Sequence, residues 1–319
     1  MISLAAYYVP CYMQVHFTKV AFMIFAMAFP IAANRLDTKL NPKGCGVSEP
    51  MGRIYNGKPI GRENVPWMVS VLVTFDDPGK VYGCGGSIIT SNVILTAGHC
   101  LYKEFVYAKE VVVVFNSTQK DRGSAMYAEM MMVHPEYSEL AEVAHDVGLL
   151  KLPLPLEFNP IVKPVCLPTS KMELAGKTLL VAGWGGTEYA VTSETLLHAH
   201  VVALSDEECE KAKQRYRKEF TLRPYRTGPV ICAKLARSSP CRGDSGGPVT
   251  FTGDDGRSLQ VAIVSGGDIC PPTVPSVNTR VSGYMRWIRG ALSHPGKWMK
   301  LRFFPYLLTL QKPARAGAP

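Results

Sequence analysis

The run Cys241-Arg242-Gly243-Asp244-Ser245-Gly246-Gly247-Pro248 holds the residues best suited to do chemistry. Small, flexible neighbours let a serine expose its hydroxyl at a tight turn. The glycines let backbone N–H groups converge where an oxyanion could sit. A serine hydroxyl is a weak nucleophile, so this reading requires a base and an orienting acid elsewhere. The same Gly/Asp/Ser cluster also reads as an ordinary turn. Arg242-Gly243-Asp244 spells an integrin-binding tripeptide, but three residues carry little information. A G-x-S-x-G elbow would need its Asp and His after the serine. Only His294 follows, near the end of a predicted helix.

The base lies upstream. Leu95-Thr96-Ala97-Gly98-His99-Cys100 sets a histidine beside a cysteine after an apolar run. His145-Asp146-Val147-Gly148-Leu149-Leu150 sets a carboxylate at the head of another. The order is His, Asp, Ser. Pro66-Trp67, Cys84-Gly85-Gly86-Ser87, Gly183-Trp184-Gly185, Ser265 and Trp287-Ile288 fall in sequence around these boxes. From Ile54 to His294 the chain resembles the trypsin/chymotrypsin serine proteases.

The resemblance implies an all-β fold of two antiparallel six-stranded β-barrels with a C-terminal helix and a site in the crevice between them. It implies catalytic roles for His99, Asp146 and Ser245, and an oxyanion hole from the N–H groups of Gly243 and Ser245. It also implies a zymogen. Cleavage between Arg53 and Ile54 would create an ammonium at Ile54 that inserts and pairs with Asp244, since a buried carboxylate needs such a partner. The implied disulfides are Cys45–Cys166, Cys84–Cys100, Cys209–Cys232 and Cys241–Cys270. Substrate would be bound by Ser239, Ser265, Gly267 and Ser276. The implied partners are a protein or peptide substrate, an activating trypsin-like protease and protein inhibitors, with the enzyme itself a monomer and no cofactor.

Composition agrees with a folded, exported chain. Over 319 residues, 47% are hydrophobic and 19% charged, which excludes a disordered chain. The net charge of +9 invites a nucleic-acid reading, but residues 54–294 contribute only +1 of it, so no phosphate-binding surface is indicated. Nine cysteines are many for a cytosolic protein. Cys11 falls in the leader, and the remaining eight allow about a hundred pairings by sequence alone. Free thiols are the other reading. No C-x-x-C or His-rich spacing suggests a metal.

Lys19 followed by the apolar run Val20 to Ala33 reads as a secretory signal, with cleavage near Ala33. Met13 makes a better start than Met1 for such a signal. A membrane anchor is the other reading, although the run is short for a bilayer span. Residues 34–53 then form a propeptide that Cys45–Cys166 would keep tethered. The body, residues 54–294, shows short β-branched runs separated by turns, as in a sandwich or barrel. They are Trp67 to Phe75, Gly86 to Thr90, Val93 to Leu95, Glu110 to Phe115 and Met126 to Val133, with Thr178 to Ala182 later. Asn116-Ser117-Thr118 is a glycosylation sequon in an expected loop. Ser205-Asp206-Glu207-Glu208 is a capping box that predicts a helix to about Phe220. The basic residues of that helix (211, 213, 215, 217, 218) read as a solvated face or as an exosite for an acidic partner. Leu222 to Gly228 is an expected extended loop. A second helix is predicted from Ser282 to about His294, with Tyr284, Ile288 and Ala291 on one face. The tail, 295–319, carries five positive charges and no acid. It has no physical account from sequence; a disordered or surface-associating extension is the simplest reading.

Several positions depart from the family pattern. Gly98 and Gly148 stand where alanines are usual. Leu179 and Phe251 occupy both ends of a missing disulfide, as a packed apolar replacement would. Gly266 follows Ser265 where a tryptophan normally walls the substrate, and Asn278 replaces an aromatic. The pocket floor falls at Ser239, which is neutral, and only Asp268 could reach the rim. A neutral floor cannot offset the desolvation of a buried cation. The expected activity is a secreted serine endopeptidase that cleaves after medium apolar residues. The alternative is an inactive homologue that acts as a binding protein, although the chain keeps all three triad residues. His16, His134, His145, His198, His200 and His294 are expected in surface or packing roles.

Overall fold

A run such as Glu-Val-Val-Val-Val-Phe at 110–115 alternates inward and outward side chains, and its stiff β-branched residues suit a pleated surface. Such runs build two barrel-like halves. The structure is a computed structural model. It describes residues 35–50, 58–139, 142–186, 192–219, 225–235, 243–266, 275–302 and 307–310. The expected leader, the Arg53–Ile54 bond, Ser239, Cys241, Gly267, Asp268 and Cys270 lie outside the described residues.

The first half contains β1 (Met68–Thr74), β2 (Tyr82–Ile88), β3 (Val93–Thr96), β4 (Glu110–Phe115), β5 (Gly123–Tyr127), β6 (Met130–Val133) and β7 (Gly148–Lys151). They form a curled antiparallel sheet in the order β6-β7-β3-β2-β1-β4-β5. The expected single strand Met126 to Val133 is two strands. The Ala128 N–H bonds back to Val111 of β4, whereas the Glu129 N–H bonds to Lys151 of β7. The chain therefore changes partner at this corner, and the sheet curls round on itself.

The second half contains β8 (Thr178–Gly183), β9 (Leu197–Ala203), β10 (Val230–Leu235), β11 (Pro248–Thr252), β12 (Ser258–Gly266) and β13 (Ser276–Arg280). Its order is β9-β8-β11-β12-β13-β10, and β10 pairs back onto β9 to close a six-stranded barrel. The all-β expectation thus holds as one closed barrel and one curled half-barrel. Among the described residues two α-helices complete the fold, α1 (Asp206–Glu219) and α2 (Met285–Ser293). The capping box at Ser205 is formed in both directions: the Glu208 N–H donates to Ser205 Oγ, and the Ser205 N–H donates to Glu208 Oε2. The helix expected from Ser282 starts later, because Val281–Tyr284 takes a tighter 3-10 turn. Helix α2 buries Met285, Ile288, Ala291 and Leu292 in the same apolar cluster as the first half's strands. Chain from the end of the second half thus clasps the first. Tyr225–Arg226, within the expected extended loop, pairs in parallel with Glu142–Val143 just ahead of Asp146.

Three expected disulfides are formed: Cys45–Cys166, Cys84–Cys100 and Cys209–Cys232. Cys241–Cys270 lies outside the described residues. The segment before the expected cleavage bond is tied down by more than its disulfide. Asp37 accepts from the N–H and hydroxyl of Ser91, and Asn41 exchanges two hydrogen bonds with the backbone of Leu167. Gly46 is stitched between Pro164 and Ser258. Its φ is +68°, and a Cβ there would collide with the Ser258 carbonyl, so only glycine fits.

The tail also has structure where it is described. Strands β14 (Met299–Lys300) and β15 (Leu307–Leu310) pair with β6 and β5 and extend the curled sheet at both edges. Trp298 is buried beneath α2 and donates its indole N–H to Ala291. A strand added to an open edge satisfies backbone groups that would otherwise face water. Among the described residues no helix is long and apolar enough to cross a membrane.

At the missing disulfide, Leu179 is fully buried in the second barrel's apolar cluster, and Phe251 packs against the same cluster. Leu179→Ala should therefore cost about 2–5 kcal/mol, the range for a truncated core leucine. Chemical denaturation measures this. A cost below about 1 kcal/mol would mean that the apolar pair does not replace the cross-link.

Candidate functional site

His99 sits on the short 3-10 turn Gly98–Cys100 that follows β3. Asp146 sits on the loop that enters β7. The His99 backbone N–H donates to Asp146 Oδ1 at 2.9 Å, and His99 Nδ1 lies 2.8 Å from Oδ2. One carboxylate thus holds both the main chain and the ring of the histidine. The second half supplies two more donors. Ser265 Oγ, on β12, donates to Asp146 Oδ2 at 2.5 Å, and Thr279 Oγ1, on β13, donates to the Asp146 carbonyl at 2.9 Å. Burial pushes the Asp146 carboxyl up, but the charge of His99 and the hydrogen bonds from His99 and Ser265 outweigh it and hold the pKa at about 2. Asp146 is therefore a carboxylate at any working pH, and its charge is aimed at Nδ1.

Ser245 is brought to His99 by backbone contacts. Gly85 of β2 donates its N–H to the Ser245 carbonyl at 2.7 Å, and Thr96 Oγ1 donates to the Gly85 carbonyl at 2.9 Å. Cys100 Sγ, bonded to Cys84, lies 3.9 Å from His99 Nε2 and 3.7 Å from the Ser245 carbonyl. The disulfide therefore lies against both the imidazole and the serine loop. Among the described residues the Ser245 hydroxyl and His99 make no direct hydrogen bond. Such contacts often tighten only when substrate is present. Gly243 and Gly246 have φ of +100° and +80°. A side chain at Gly246 would strike Thr96 Oγ1 and the Gly85 carbonyl, so glycine is required where the two halves meet backbone to backbone. Among the described residues the N–H groups of Gly243 and Ser245 take no backbone partner.

Asp244 is buried, and its Oδ1 accepts the Gly185 N–H at 2.8 Å. A Cβ at Gly183 or at Gly185 would fall inside that carboxylate. The glycines flanking Trp184 exist to make room for an acid, a reason their spacing alone did not reveal. Trp184 anchors the segment by donating its indole N–H to Thr118 at 2.8 Å.

The expected substrate positions fare unevenly. Ser239 and Gly267 lie outside the described residues. Ser265 is present at the site, but its hydroxyl serves Asp146. Sequence reasoning assigned it to substrate and missed this contact. Ser276 is buried, donates to the Ala233 carbonyl and accepts from Asn278 Nδ2. Asn278 Oδ1 is buried without a partner. Gly148 gives Leu101 its space, since a Cβ there would touch the end of the Leu101 side chain. Asn116 is exposed in the turn after β4. His145 has φ of +53° and is not in a strand. Its ring stacks on His134 at 4.7 Å. His134 has its pKa lowered by burial and then by the neighbouring His145.

Comparison with known proteins agrees with this geometry. Residues 54–288 match the trypsin family model. The chain is 34% identical to serine proteinase stubble of Drosophila melanogaster over 76% of its own length, but that match covers only 32% of the relative. It is 30% identical to clotting factor G beta subunit of Tachypleus tridentatus, covering 80% of this chain and 85% of the other. It is also 30% identical to phenoloxidase-activating factor 3 of Holotrichia diomphalia, covering 77% and 74%. With its closed barrel, curled half-barrel and His99–Asp146–Ser245 cluster, this chain belongs to the trypsin family of serine proteases.

Proposed function

We propose that the protein is a secreted serine endopeptidase made as a zymogen. The observation that carries this reading is the buried Asp146 carboxylate, bound to both the ring and the main chain of His99. Ser245 Oγ attacks the scissile carbonyl while His99 takes its proton. The N–H groups of Gly243 and Ser245 receive the oxyanion, each donor contributing roughly 10²–10³ in rate. His99 then returns the proton to the leaving amine. Water, deprotonated by His99 in turn, cleaves the acyl–Ser245 ester. Asp146 holds the reactive tautomer and stabilises the imidazolium.

Activation follows from Asp244. Cutting after Arg53 gives Ile54 an ammonium that joins the buried Asp244 and orders the loop carrying Gly243 and Ser245. The docked segment around Asp37, Asn41 and Cys45 remains attached after the cut through Cys166. Two of the related proteins are named as a clotting factor and an activating factor, which supports protein substrates. The export signal in residues 1–33 and the disulfides support an extracellular location, and Asn116 is a glycosylation site.

An organophosphate probe should label Ser245 only after cleavage at Arg53. Ser245→Ala should abolish labelling, and Arg53→Gln should prevent it when a trypsin-like protease is added. Labelling of the uncut Arg53→Gln chain would overturn the zymogen reading. No labelling after verified cleavage would favour an inactive, substrate-binding homologue.

Specificity follows from neutral residues. The resemblance assigns the pocket floor to Ser239, which is neutral, and Ser276, another expected pocket residue, is neutral and buried. Leu or Met before the scissile bond should be preferred over Arg by about a hundredfold or more, reflecting an unpaired buried charge. A positional-scanning peptide library measures this, and a preference for Arg or Lys would refute it.

A further inference from the structure

His134, Glu136 and His145 form a second cluster of chemically capable side chains beside the triad. One nitrogen from each histidine and one Glu136 oxygen all lie within 4.8 Å of one another. Nothing in their linear spacing signals this. His134 directly follows β6, Glu136 follows in the turn, and His145 comes back across the 138–144 excursion. The two imidazoles lie nearly parallel, 10° apart, at 4.7 Å. His145 Nε2 faces Glu136 Oε2 at 3.9 Å, too long for a hydrogen bond but a span that one ion could bridge. On its other side, His145 Nδ1 lies 3.4 Å from the Tyr284 hydroxyl. A ring whose far nitrogen is held by a polar partner while the near one faces a carboxylate is the usual arrangement of a metal-ligating histidine. His145 also adopts a left-handed backbone that a non-glycine residue takes at some cost. That conformation turns its ring onto His134.

We propose that His134, His145 and Glu136 form a binding site for Zn²⁺ or a similar borderline divalent cation, and that occupancy slows the protease. Two imidazoles and one carboxylate suit zinc and leave positions for water. His134 now accepts the Glu136 N–H at Nδ1, so that nitrogen already carries a lone pair. Coordination through it exchanges one hydrogen bond for a metal bond. The half-exposed His145 and the exposed Glu136 give the ion an open path from solvent. The coupling to catalysis is covalent, because His145 directly precedes Asp146. Drawing His145 toward Glu136 pulls on the loop whose Asp146 carbonyl is held by Thr279. A dication there also opposes the Asp146 charge on which His99 depends. The effect on rate rests on the protease reading above; the binding does not.

The test is a titration of the full, cleaved protein with Co²⁺ and with Zn²⁺. Co²⁺ absorption reads binding and peptide hydrolysis reads rate. One equivalent of metal should bind, and micromolar Zn²⁺ should slow hydrolysis, reversibly with a chelator. Glu136→Gln, at an exposed position where misfolding is not at issue, should weaken binding roughly tenfold or more and leave the metal-free rate unchanged. His145→Asn keeps a residue that tolerates the left-handed backbone and should also lose the site. Binding that is absent, or unchanged in both variants, overturns the proposal. Binding without slowing in an enzyme that hydrolyses peptide overturns the coupling to Asp146. An enzyme with no hydrolysis at all contradicts the protease reading while the Co²⁺ spectrum still reports on the site.

Discussion

One buried carboxylate, Asp146, constrains both halves of the molecule. A charge taken out of water must be repaid in donors, and here the donors come from separate elements. The 3-10 turn after β3 gives the His99 N–H and ring, β12 gives Ser265, and β13 gives Thr279. The first half carries the acid and the second half carries two of its partners. Removing either set would leave a buried polar group unsatisfied. The two halves therefore cannot separate without a large penalty, and the site is assembled at the seam.

The serine loop is held across the same seam by different means. No side chain could fit where Gly246 lies against the Thr96 hydroxyl and the Gly85 carbonyl, so the loop comes to its neighbours through its own backbone. Below it, Asp244 fills the space that Gly183 and Gly185 leave empty. The loop that carries Gly243 and Ser245 thus depends on where one acid points. In the proposed zymogen, the switch is a new ammonium placed on that acid rather than on Ser245. Asp146 is held by four hydrogen bonds and does not need such a switch.

The family was legible because its marks reside in short boxes whose residue types and order are specific. His99, Asp146, Ser245 and the glycines beside Trp184 all fall in such boxes. Strand runs such as Glu110–Phe115 were legible from their β-branched residues. What escaped was set by tertiary contact. The split at Ala128–Glu129 depends on which neighbour each N–H finds, and no local pattern encodes that. The basic tail looks like an extension by composition, yet Met299–Lys300 and Leu307–Leu310 find the open edges of the curled sheet. Ser265 was placed at the site, but not with its hydroxyl on Asp146. His134 and His145 are eleven positions apart in sequence and stacked in space.

The central claim is that the Asp146 charge, aimed at His99 Nδ1, makes His99 the base for Ser245. Steady-state kinetics of the cleaved Asp146→Asn protein on a peptide with an apolar residue before the scissile bond tests it most directly. The amide preserves the shape but supports the wrong tautomer of His99. kcat should fall by roughly 10⁴, the size that this type of triad shows, with KM little changed. A fall of less than about tenfold would contradict it.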